Sequence, residues 1–81
     1  MKHGKGKYYY TKGELYIGDW YENKKHGQGK YFYENGRIYT GSFANNMKHG
    51  LGRIDETDGS YYQGEFYEND KHGVAEYFDA E

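Results

Sequence analysis

Residues 13–35 read GELYIGDWYENKKHGQGKYFYEN, and the same order returns twice, as GRIYTGSFANNMKHGLGRIDETD over 36–58 and GSYYQGEFYENDKHGVAEYFDAE over 59–81. Gly13, Gly36 and Gly59 open units spaced 23 residues apart. The 12 residues before them, MKHGKGKYYYTK, match the second half of a unit. The chain therefore divides without remainder into a half repeat (1–12) and three full repeats (13–35, 36–58 and 59–81) of a single array. A fixed period of this length marks a repeat architecture, in which each unit buries its apolar face only against its neighbours.

The matches between units are concentrated in a few columns. Tyr16, Tyr39 and Tyr62 form one, and Gly18, Gly41 and Gly64 another. Trp20, Phe43 and Phe66 hold an aromatic column, and Asn23, Asn46 and Asn69 hold a polar one. Lys25-His26-Gly27 recurs as Lys48-His49-Gly50 and Lys71-His72-Gly73, with Lys2-His3-Gly4 upstream. Tyr16, Gly18 and Trp20 alternate, so on a strand they share one face. The opposite face drifts from Leu15, Ile17 and Asp19 to Ile38, Thr40 and Ser42, then to Tyr61, Gln63 and Glu65. A constant face and a drifting face at period two describe a half-buried strand. Gly27, Gly29, Tyr31 and Tyr33 repeat the alternation in a second strand.

Asn35-Gly36 and Asp58-Gly59 suit tight hairpin turns that need positive φ. Asn23, Asn46 and Asn69 tolerate the left-handed region. Each unit thus reads as two strands and two turns, and consecutive units as one antiparallel meander. Glycine weakens a strand interior, so Gly18, Gly41 and Gly64 need a reason. Rings lying over cross-strand glycines supply one. The core is then expected to be a single stacked column of rings, one unit per rung. The fold class is all-β, a single antiparallel meander of stacked hairpins.

The order Gly-x-x-Tyr-x-Gly-x-Trp/Phe, a short polar stretch, then Lys-His-Gly-x-Gly closely resembles the MORN (membrane occupation and recognition nexus) repeat. The resemblance covers the whole chain. Two departures stand out. Ala75 replaces the last Gly of the third unit, and Asn23, Asn46 and Asn69 stand where family members often carry Gly. The resemblance implies an elongated, twisted and curved sheet with an aromatic-lined groove, and a scaffolding role in cytoskeletal, ciliary or membrane-junction assemblies. The aromatic cell-wall-binding repeats of secreted bacterial proteins fit less well, because they carry several Trp and here Trp20 is the single one.

Composition sets the outer limits. With 30% charged and 35% hydrophobic residues, the 81-residue chain superficially resembles a disordered segment. Its 12 Tyr, 4 Phe and 1 Trp, with 13 Gly and no Pro, argue for a folded one whose apolar surface is carried by rings. No apolar run approaches the ~20 residues of a membrane-spanning helix. The absence of Cys removes disulfides and zinc thiolates and makes an intracellular setting the expectation. Because the array opens mid-unit and ends on an unpaired strand, a longer parent array or a capping partner is expected at its edges.

Catalytic chemistry finds little footing. His3, His26, His49 and His72 recur once per unit, and equivalent atoms two strands apart are ~9.6 Å apart. Nitrogens sharing a zinc ion lie within ~4 Å of each other, so a structural role is expected, each His bonding across its turn over the following glycine. Gly27-x-Gly29 and Gly50-x-Gly52 lack the third glycine and the helix of a nucleotide fingerprint. Asp55, Glu56 and Asp58 sit on a turn, without the burial that tunes an acid/base pair. No enzymatic activity, cofactor or metal is expected.

Charge is polarised along the chain. Residues 1–53 carry ten basic and four acidic side chains, whereas residues 54–81 carry Lys71 against nine acids. Three binding modes follow. The leading expectation is a protein partner, an extended peptide or a helix, held along the ringed face by Tyr16, Trp20, Tyr39, Phe43, Tyr62 and Phe66, the alternative being that folding consumes these six rings wholly. The second is an anionic phospholipid or phosphoinositide surface met by Lys2, Lys5, Lys7, Lys24, Lys25 and Lys30. The third is self-association, head to tail or edge to edge, with the basic end of one array against the acidic end of another. Nucleic acid is not expected, because the acidic half opposes it.

Overall fold

A computed structural model describes residues 4–80. Seven strands form one open sheet in chain order: β1 (Gly4–Tyr9), β2 (Leu15–Tyr21), β3 (Lys24–Phe32), β4 (Ile38–Ala44), β5 (Met47–Asp55), β6 (Tyr61–Tyr67) and β7 (Asp70–Phe78). Every neighbouring pair is antiparallel. The result is a slab of 43 × 27 × 16 Å, as expected of a hairpin meander.

Two kinds of turn alternate. Glu22-Asn23, Asn45-Asn46 and Glu68-Asn69 join strands within a unit, and both residues of each pair have positive φ. That is the two-residue hairpin whose twist matches the flanking strands. Asn35-Gly36 and Asp58-Gly59 behave differently from the expected tight turn. There Tyr33 N–H donates to Arg37 O (2.9 Å) and Gly36 N–H to Tyr33 O (3.0 Å), leaving a three-residue loop. Gly36 takes positive φ, whereas Asn35 spends its side chain accepting from Arg37 N–H (3.0 Å).

Within each unit the second strand bulges against the first. Gly18 faces Gly29 and Trp20 faces Lys25, so four residues of β3 advance against two of β2. The same slip recurs between β4 and β5 and between β6 and β7. Gly27, Gly50 and Gly73, the last residue of each Lys-His-Gly motif, occupy the bulges with φ of 98°, 91° and 70°. Positive φ there is what glycine permits and other residues resist.

The core lies on one face and comprises Tyr16, Trp20, Tyr39, Phe43, Ile54, Tyr62 and Phe66. Tyr16 reaches across from β2 to cover Gly29, and Tyr39 covers Gly52 in the same way; a Cβ on either glycine would fall inside the ring. The cross-strand ring-over-glycine arrangement exists in the first two units, but over Gly29 and Gly52; Gly18 and Gly41, the glycines expected to lie under the rings, abut the Gly29 and Gly52 backbone instead, and Gly64 abuts Ala75. In the third, Ala75 stands where Gly29 and Gly52 stand, and it packs against the core.

Candidate functional site

The six rings of the two recurring aromatic columns are joined edge to face. Tyr16 meets Trp20 at 5.1 Å and Phe43 at 5.2 Å; Tyr39 meets Phe43 at 5.0 Å and Phe66 at 5.2 Å. Within the expected column the rings meet at interplanar angles of 82–90°, because the ring quadrupole favours edge against face. Tyr62 continues the line through Phe66 and Tyr77. Each column tyrosine also ties down its own strand: Tyr16 OH donates to Asp19 O (2.8 Å), Tyr39 OH to Ser42 O (2.8 Å) and Tyr62 OH to Glu65 O (3.0 Å).

These rings are consumed by folding. Tyr16 and Tyr39 are fully buried, and Trp20, the most accessible of the six, is 7% exposed. The expected placement of Tyr16, Trp20, Tyr39, Phe43, Tyr62 and Phe66 as an open ringed surface is therefore corrected. A sheet with one packed face has no deeper layer to fill its core, so its own most recurrent rings fill it.

A second layer lies over that core. Tyr8, Tyr10, Tyr31 and Tyr33 run in contact, at 4.7 Å, 5.6 Å and 4.8 Å between successive centroids. Between them stand the lysines of the Lys-His-Gly motifs. Lys25 Nζ lies 5.2 Å and 5.0 Å from the Tyr10 and Tyr31 ring centres and donates to Tyr10 OH (3.3 Å). One unit on, Lys48 Nζ lies 5.5 Å from the Tyr33 ring and donates to Tyr33 OH (3.0 Å). Lys71 Nζ sits 4.7 Å from the Tyr62 ring. Burial pushes the Lys25 ammonium below its ordinary value, Glu14 opposes that shift and Lys48 adds to it. The Glu14 carboxylate is itself occupied, accepting from Tyr31 OH (2.7 Å) and Glu34 N–H (3.2 Å), and these bonds hold it below the usual carboxylate range.

The turn asparagines clasp the lysines of the preceding unit. Lys25 N–H donates to Asn46 Oδ1 (2.8 Å), and Asn46 N–H returns a bond to Lys25 O (3.0 Å). Lys48 and Asn69 repeat the pair, each bond at 2.9 Å. A glycine at these turns could supply the φ but not the side-chain acceptor. Two adjoining hollows open on this face around Lys25. One, of about 380 Å³, is lined by Tyr8, Tyr10, Trp20, Asn23, Lys25 and Asn46. The other, of about 260 Å³, is bounded by Lys25, Tyr31, Tyr33, Phe43, Lys48 and the two clasping asparagines.

The lysines expected to meet lipid do not form one surface. Lys2 lies outside the described residues. Lys25 belongs to the ringed face, and Lys5 Nζ donates to Asp19 Oδ1 (2.7 Å). Strand alternation puts Lys5, Lys7, Lys24 and Lys30 on the opposite face. There Lys7 and Lys30 flank Ile17 in one cross-strand row.

Three further features escaped the sequence reading. Ile54 is in the core, in the register position of Tyr31 and Tyr77, and that alignment was its only signal. Asp19, placed on a merely tolerant face, braces the bulge by accepting from Gln28 N–H (3.0 Å). Burial and the nearby Asp19 and Tyr10 push the Tyr16 phenol up to about 12. The histidines meet tyrosine rings rather than their turns: His26 lies 5.9 Å from Tyr21, and His49 and His72 lie 5.1 Å and 5.9 Å from Tyr67. Their expected bond across the turn is replaced by these ring contacts. His3 is outside the described residues. Among the described residues no three His, Asp or Glu side chains are grouped to hold a metal ion.

An open sheet of identical hairpins, with a ring core on one face and glycine-bearing bulges, defines a class of β-repeat array. The MORN repeat model matches residues 1–14, 16–36, 39–61 and 62–80, nearly the entire length, and the chain belongs to the MORN-repeat family. The three full matches begin at or near the column tyrosines rather than at Gly13, Gly36 and Gly59. No curated protein matches the chain. MORN repeats are generally interaction modules, typically without enzymatic activity.

Proposed function

We propose that this array is a non-catalytic scaffold that holds a protein partner along the groove of its ringed face. The observation that carries the reading is the second layer. Tyr8, Tyr10, Tyr31 and Tyr33 border two adjoining hollows; Tyr10, Tyr31 and Tyr33 pack on the core yet stay half-buried, and Tyr8 is exposed, so the layer keeps open ring surface. Tyrosine presents broad apolar area with a polar tip at low conformational cost, which suits an interface. An extended peptide or one face of a helix fits a channel that runs across strands. The array would thereby join partners in cytoplasmic assemblies at the cytoskeleton, cilium or membrane.

The test is selection from a displayed random-peptide library against the folded chain. Selected peptides are expected to lose about tenfold in affinity or more on Tyr10→Ala or Tyr33→Ala, with the sheet intact by circular dichroism. Peptides indifferent to both changes contradict the groove reading.

A second reading has an observation of its own. The outer-face row Lys7–Ile17–Lys30 puts two lysines about an apolar residue, the arrangement that meets an anionic bilayer. Cosedimentation with phosphoinositide vesicles at ~50 and ~300 mM salt decides it, because salt screens exposed charge. Binding at low salt that disappears in a Lys7→Gln, Lys30→Gln variant supports this reading; no binding at either concentration sinks it.

A further inference from the structure

We propose that the groove recognises an acidic polypeptide segment, and that two lysine–tyrosine dyads, Lys25 with Tyr10 and Lys48 with Tyr33, are its carboxylate-binding positions. This rests on the groove being the protein-binding face.

The first argument is electrostatic. Lys25 and Lys48 are half-buried ammonium groups. The ion pairs among the described residues are Lys5–Asp19, Arg37–Glu56 and Arg53–Asp55, so neither dyad lysine has a carboxylate at ion-pair distance. Glu14 acts on Lys25 from beyond ion-pair distance, its carboxylate taken up by Tyr31 and Glu34 N–H; a partly desolvated charge with no carboxylate in contact is a cost of the free state. Ring faces offset part of it. An incoming carboxylate would offset the rest, in a setting where solvent screening is reduced.

The second argument is the donor geometry. In each dyad the ammonium donates to the phenol oxygen, at 3.3 Å for Tyr10 and 3.0 Å for Tyr33. A phenol that accepts still has its own hydrogen to give, and the ammonium retains two more. Each dyad therefore offers two kinds of donor from adjacent atoms, a match for the two oxygens of a carboxylate. The Asn46 and Asn69 clasps fix the backbone beneath, so the dyads are held rather than waving.

The third argument is spacing. The dyads are one unit apart, two strands, or ~9.6 Å. Acidic residues three apart on an extended segment of the three-per-turn polyproline II type share a face and are separated by ~9.3 Å, and seven apart on a helix by ~10.5 Å. Either places one carboxylate at each dyad. The third motif lysine does not extend the series. Lys71 shares its hollow with Glu56 and Asp79, which stand where Tyr33 and Tyr10 stand in earlier units. Recession among rings also favours a single chain reaching in over a flat lipid surface, which the outer face meets better.

The experiment scores the composition of the peptides selected from the same random library. On the wild-type chain, Asp and Glu should be enriched at spacings of three or seven. A Lys25→Met, Lys48→Met variant keeps the buried stems and removes the charges, and should lose the enrichment; Lys25→Arg with Lys48→Arg should largely retain it. Affinity of a selected acidic peptide should fall about tenfold per lysine removed, and little on Lys71→Met. Folding of every variant is checked by circular dichroism, and the Arg variant guards against loss through misfolding. Selected peptides without acidic bias overturn the proposal and leave the groove reading standing. Recovery of no binder overturns both. Phosphatidylserine vesicles bound in a Lys25- and Lys48-dependent way, with no acidic peptide selected, overturn it in favour of a lipid headgroup.

Discussion

Tyr39 shows what a single repeated residue does in this sheet. Its ring covers Gly52, wedges between Phe43 and Phe66, and its hydroxyl donates to Ser42 O (2.8 Å). Gly52→Ala puts a methyl group where the ring lies and is expected to cost about 1–3 kcal/mol, the range for overpacking a filled core. Urea denaturation measures it; an unchanged midpoint contradicts the account. Ala75 shows how a unit absorbs the same methyl. Tyr62 meets Phe66 at 70° rather than 82–90°, and its partner on the far side, Tyr77, is 71% exposed and free to yield. Tyr16 gives a second prediction. Its phenol titrates higher folded than unfolded, so its contribution to stability is complete below pH ~10 and is lost as pH rises toward about 12. Tyrosinate absorbance and circular dichroism followed together should show the buried tyrosines ionising only as the sheet unfolds. Ionisation well before unfolding excludes the buried phenol. The column itself was plain in the sequence. What the sequence could not reveal was that the column would be used up, because whether a ring is core or surface depends on what lies above it.

At the scale of the element, the unit is a hairpin with a bulge, clasped to the next hairpin by asparagine. The alternation of Tyr16, Gly18 and Trp20 identified the strands, and the asparagines identified the inner turns. The bulge was not legible, since a period-two pattern does not announce the residues that slip out of it. Nor was the clasp, which joins Lys25 to Asn46 across 21 positions. Asn46→Gly keeps the backbone conformation and removes the acceptor, leaving Lys25 N–H without it. That should cost about 1 kcal/mol, and Asn46→Ala somewhat more, because alanine also resists the φ of 72°. Thermal melts of the two variants test the order; equal stability of Gly and wild type removes the clasp from the account.

Across the whole molecule, stability is shared only between neighbours, so length decides it. Removing residues 59–81 leaves β1–β5 and takes the array below the ~3 units such sheets need. A broad, weakly cooperative melt, or none, is expected of that truncation; a sharp transition near that of the full chain argues against nearest-neighbour logic. Strand direction bears on self-association. β1 and β7 are separated by six antiparallel steps and so run the same way. A head-to-tail junction that keeps the ringed faces of both copies on one side would be a parallel pair, the weaker kind, aided by opposite charge. Sedimentation equilibrium should therefore show association, if any, at low salt and a monomer at ~300 mM, where exposed charge is screened; a dimer persisting at high salt contradicts this. The charge polarity that suggested the junction is plain in the sequence, but strand direction emerges only once the strands are counted.

The central claim is that partners are read by the second layer of the ringed face rather than by its core or by the outer face. Amide and side-chain NMR shifts, recorded while a selected acidic peptide is titrated in, test it most directly. The account predicts changes grouped at Tyr10, Lys25, Tyr33, Asn46 and Lys48, with Lys7, Ile17 and Lys30 unmoved. Changes centred on Lys7, Ile17 and Lys30, with the groove silent, would contradict it.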